Sequence, residues 1–157
     1  MDHARIYELL RKAGRNRMVW AGLVAGVIGH ILQGIMAFLF FDRYYLAHTE
    51  LLRDVGHAVG IYYLIPNLIV GLVLSYIAVH FKKISPRPDW QIGGRVGVLV
   101  WAASSAVVII KRQIIFDLSN WLLLEMLSDL LIFAFMGTIA GFLSGHGIFG
   151  YVRDSAE

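Results

Sequence analysis

The 157-residue chain is 58% hydrophobic and 16% charged, with a mean hydropathy of +0.66 and no cysteine. A soluble domain averages about 45–50% apolar and about 25% charged residues, so this composition excludes an ordinary soluble enzyme, a disordered tail and a disulfide-built module. Without thiols there is no thiolate metal site, cysteine nucleophile or CxxC redox pair.

Residues 1–17 have helical periodicity, with Ile6, Leu9, Leu10 and Ala13 on one face and Arg5, Glu8, Arg11 and Lys12 around the other. This amphipathic segment reads first as a topogenic flank, second as a helix lying on anionic headgroups. The first long apolar run, residues 18–41, exceeds a signal-peptide core and has no small-x-small cleavage site after it, so it is expected to be a retained span. Residues 42–58 are periodic too. His48, Glu50, Asp54 and His57 are metal-capable side chains, but Arg53 sits among them and a solvated helix face is preferred.

Three further runs follow, at residues 59–81, 92–110 and 122–143. A hydrocarbon core about 30 Å thick needs about 20 helical residues. Lipid cannot satisfy backbone N–H and C=O groups, and none of the runs alternates with the period of a barrel strand, so all four are expected to be helices. The third is the shortest and carries Arg95, which is placed to snorkel to the headgroups. The connection after the second run, KKISPRPDW, reads as a turn built on Pro86 and Pro88. The one after the third, KRQIIFDLSNW, reads as a loop along the headgroup layer. Tyr44, Tyr45, Trp90, Trp121 and Tyr151 suit interfacial belts.

The expected fold is therefore all-α: one membrane domain over residues 1–157, folded as a four-transmembrane-helix bundle. Lysine and arginine fix its orientation, because 10 of the 14 fall on the side of the two termini and the second loop. Both termini are thus expected to be cytoplasmic. The charge of +3 follows from this asymmetry and not from a nucleic-acid surface. The plan, with an acid ahead of a Gly-rich last helix (WLLLEMLSDLL…GTIAGFLSG), resembles that of small four-span bacterial membrane proteins. That resemblance implies a bacterial inner (cytoplasmic) membrane and carries over no functional residue.

Two sets of residues stand out. Small residues recur at four-residue spacing: Gly22 and Gly26 in the first run, Gly93 and Gly97 in the third, Gly137, Gly141 and Gly145 in the fourth. Such spacing lets helix backbones approach in lipid, within one chain or between copies. The second set is polar: Gln33, Asn67, Ser104, Ser105 and Asp129 are expected at one depth below the outer edge, with His30 slightly deeper and Glu125 one turn above Asp129. Polar groups inside a membrane are default functional candidates, and two neighbouring acids with a histidine suit proton transfer. Read as structure, the same groups are interhelical hydrogen bonds that fix the bundle.

No P-loop, GxSxG or dinucleotide motif is present, and no metal or other cofactor is expected. The leading functional expectation is a structural or accessory subunit of a membrane assembly, partnered by the lipid bilayer and by other membrane proteins or copies of itself. The alternatives are a lipid-phase acid–base enzyme on an apolar substrate and a proton-coupled small-solute transporter. In both, His30, Glu125 and Asp129 carry the chemistry and Gln33, Asn67, Ser104 and Ser105 line a polar pocket. The sequence leaves open whether the protein is an enzyme.

Overall fold

The apolar runs fold as helices because only an intrahelical ladder satisfies their backbone without water. A computed structural model describes residues 3–41, 59–115 and 119–145 and, within them, the side chains of 14–40, 64–105 and 124–145. The described residues form four packed helices: α1 (His3–Met36), α2 (Val59–Lys82), α3 (Asp89–Ile115) and α4 (Ser119–Gly145). A π-helical turn, Ala37–Phe41, ends α1. The periodic segment 42–58, with His48, Glu50, Asp54 and His57, lies outside the described residues, as do residues 146–157.

Neighbouring helices run antiparallel. Gly22 lies against Leu72 and Gly26 against Asn67 and Leu68. Likewise Gly93 lies against Gly137 and Gly141, and Gly97 against Phe133 and Ala134. The α1–α2 and α3–α4 hairpins make the two largest interfaces, while α2 and α4 also touch each other across the middle and each touches all the other helices. Among the described residues α1 and α3 share no interface, so they occupy the far corners of a diamond.

The core is small and the exterior is apolar. Ala25, Leu74, Val96, Met136 and Ala140 form the buried cluster, whereas Trp20, Ile31, Phe38, Leu99, Leu131 and Phe135 face outward. Such an outer surface is stable in lipid and not in water. The segments Gly14–Phe40, Leu64–Lys82 and Leu124–Gly145 are each long and apolar enough to cross a bilayer. The chain is a small helical membrane protein.

Helix α1 runs without a break from His3 into the first apolar run. One local expectation changes. The loop expected after the third run is mostly helix. α3 extends to Ile115 and α4 starts at Ser119, which puts Lys111 and Arg112 in the last turns of α3. The physical reason is that 27 helical residues span about 40 Å. A helix does not stop where its side chains become polar; it continues until the chain must reverse.

Candidate functional site

The helix contacts begin with glycine. A Cβ built on Gly93 or Gly97 would meet the carbonyl oxygens of Gly137 or Phe133, and one on Gly137 would meet the carbonyl of Gly93. On the other hairpin a Cβ at Gly26 would lie 2.7 Å from the Asn67 carbonyl oxygen. These glycines let backbone lie on backbone within the chain. Gly71 and Gly29, which the spacing pattern did not single out, belong to the same contacts: Gly71 faces Gly22 and Gly26, and Met136 covers Gly29. Gly34 opens onto free space, so of the two glycines that flank His30 one turn away, Gly26 is closed by α2 and Gly34 is open.

One end of the bundle is pinned by polar bonds. The Lys82 Nζ donates to Asp89 Oδ2 at 2.6 Å across the α2–α3 turn. Asp89 is buried and packs against Gly141 and Gly145, where a side chain would displace it. The turn is held by the Pro88 carbonyl, which accepts from the Gln91 and Ile92 amides at 3.0 and 3.1 Å. One layer over, the fully buried Ser75 hydroxyl lies 2.7 Å from the Met18 carbonyl and 2.9 Å from the Ser144 Oγ. A small cleft beside this ion pair, about 60 Å³, is lined by Ala78, Lys82, Asp89, Ile92 and Ser144.

The membrane-depth polar residues form a staircase and not a single layer. Asn67 sits level with Gly26, about two turns from Gln33 along α1. Their side chains nevertheless meet, Asn67 Nδ2 donating to Gln33 Oε1 at 2.7 Å. Helical side chains lean toward their own N-terminus, and in antiparallel helices this tilts the two amides toward each other. The α3–α4 register at Gly97 and Phe133 puts Ser104 and Ser105 about level with Glu125 and Asp129. Ser104 is exposed and bonds back to the Val100 carbonyl at 2.7 Å, whereas Ser105 is half-buried. Glu125 and Asp129 are half-buried, and each takes part in a further interaction. The buried Ser128 hydroxyl donates to the Glu125 carbonyl at 2.9 Å.

His30 is half-buried, three residues before Gln33 on the same face of α1. Its Nδ1 and the Trp101 Nε1 are, among the described residues, the buried side-chain nitrogens with no hydrogen-bond partner. His80 instead bonds the Tyr76 carbonyl at 2.8 Å and is exposed. No group of three or more His, Asp or Glu among the described residues is placed to hold a metal ion.

The polar set thus separates into a joined pair, Gln33 with Asn67, an adjoining His30, and a more distal group of Glu125, Asp129, Ser104 and Ser105. The Lys82–Asp89 and Ser75–Ser144 bonds were missed from sequence. The signal for the first was there: a lysine ending one apolar run and an aspartate starting the next helix after Pro88. Comparison with protein-family models, with curated proteins and with solved structures returned no match to this chain.

Proposed function

We propose that the chain is a four-span integral membrane protein of the bacterial cytoplasmic membrane, one domain with both termini cytoplasmic, acting as a structural or accessory subunit. The observation that carries this reading is the backbone-on-backbone packing at Gly93, Gly97, Gly137 and Gly141. Such contacts produce a narrow, stiff hairpin suited to presenting a fixed surface. Because these glycines face one another within the chain, partner proteins or further copies would meet the outer apolar faces, such as Trp20, Val24 and Ile31 of α1. Gentle solubilisation followed by mass measurement tests this. The reading expects a homo-oligomer or a larger complex, and a lone monomer retaining no other protein overturns it.

A second reading rests on His30. A buried, unpartnered imidazole nitrogen beside the Gln33–Asn67 pair suits a proton-handling group, with Glu125 and Asp129 as the distal acids. It makes the protein a proton-coupled transporter or a lipid-phase acid–base enzyme. Proton-gradient-driven solute uptake into proteoliposomes, lost in Asp129→Asn and His30→Ala, is the expected result for the transporter. Uptake that is unchanged in correctly folded Asp129→Asn removes the acid from the mechanism.

A further inference from the structure

Among the described residues, Arg95 carries a charge that the bundle's Lys82–Asp89 ion pair does not explain. It lies six residues into α3, about 9 Å above Asp89, and faces outward. Among the described residues no carboxylate forms an ion pair with it. A helical side chain leans toward its helix N-terminus, so the guanidinium reaches back toward the level of Gln91, about half a turn above the Lys82–Asp89 pair. The exposed Trp90 marks the interface at that level. The turn just beyond it adds the exposed cations Lys83 and Arg87. On the other side of Arg95, along the same strip of α3, the outward residues are Val98, Leu99 and Ala102, an apolar lane that runs into the hydrocarbon. A planar fork of donors at headgroup level with an apolar lane beyond it matches a phosphodiester with its acyl chain attached.

We propose that Arg95, with Gln91 one turn away, forms a binding site for an anionic phospholipid in the leaflet at the Lys82–Asp89 end. The phosphate is held by the Arg95 guanidinium and an acyl chain lies along Val98, Leu99 and Ala102. This rests on the reading of α3 as a span. The occupant is an anionic lipid because the outward guanidinium of Arg95, with no carboxylate paired to it among the described residues, is a positive charge that a zwitterionic headgroup offsets less well.

The test uses the full chain in bilayers of equal phosphatidylcholine and phosphatidylglycerol, followed by native mass spectrometry of the lipid it retains. The wild type is expected to retain phosphatidylglycerol over phosphatidylcholine by about fivefold, the preference that one well-placed basic residue near the surface supplies. Arg95→Gln should bring the ratio close to equal, while Arg87→Gln, in the turn, leaves most of the preference. Arg95→Lys keeps the charge but loses the fork, and should fall between. Equal retention by the wild type overturns the site, as does an equal loss in Arg87→Gln and Arg95→Gln, which would mean diffuse attraction. A Leu99→Cys variant separates the two layers of the claim. Its labelling by a water-soluble maleimide overturns the span itself, whereas protection together with no lipid preference overturns the lipid site alone.

Discussion

At Gly97 a single missing side chain decides how close two helices come. An added Cβ would meet the Phe133 carbonyl oxygen and lie 2.9 Å from the Ala134 Cα, both backbone atoms that cannot move without shifting α4. Gly97→Ala should therefore destabilise the protein by about 1–3 kcal/mol, the usual range for overpacking. Gly34 provides the control. It has no atom within 4 Å of its would-be Cβ, so Gly34→Ala should be neutral or stabilising by up to about 1 kcal/mol. Reversible unfolding in mixed micelles measures both, and equal effects would mean that the close approach is not what matters. The Gln33–Asn67 bond is tested by a double-mutant cycle with leucine at each position. Interhelical hydrogen bonds in membranes average about 0.6 kcal/mol and reach about 1.7 kcal/mol, and the coupling should fall in that range.

Between elements, the ion pair at the α2–α3 turn does what the glycines do not: it fixes where one hairpin ends against the other. Asp89 is buried under Gly145 and Lys82 keeps 26% of its side chain exposed. Asp89→Asn should cost about 1–3 kcal/mol, less than for a fully enclosed pair because the lysine remains partly solvated. The same unfolding assay reads it, and an effect below about 0.5 kcal/mol would place the pair among ordinary surface bridges. How far the sequence revealed these elements differs by type of signal. Length and hydropathy marked all four helices, and three of them hold segments long and apolar enough to cross a bilayer. Glycine spacing picked out the residues at the closest contacts, since backbone approach requires the absence of a side chain whatever the partner. Register did not follow from either. That Asn67 lies level with Gly26, and not with Gln33, depends on how the two helices slide past each other. Equal distances from the ends of two hydropathy runs do not determine that slide. The Ser75–Ser144 bond was hidden for the same reason, because a lone serine in an apolar run gives no sign of which helix it will face.

For the whole molecule, the interfaces describe two glycine-packed hairpins joined through α2 and α4, with α1 and α3 apart. That arrangement gives the described residues an apolar outside and ties Asn67, Ser75 and Asp89 into a few interhelical bonds. It also gives the four-span reading a direct consequence, because alternate connections must emerge on opposite sides of the bilayer. The absence of native cysteine makes this measurable with single-cysteine variants and a membrane-impermeant maleimide. In intact cells Thr49→Cys and Asp117→Cys should label, while Arg15→Cys, Arg87→Cys and Asp154→Cys should label only after the membrane is permeabilised. Labelling of Arg87→Cys and Asp117→Cys from the same side, or of Arg15→Cys and Asp154→Cys from opposite sides, would contradict the four-span bundle.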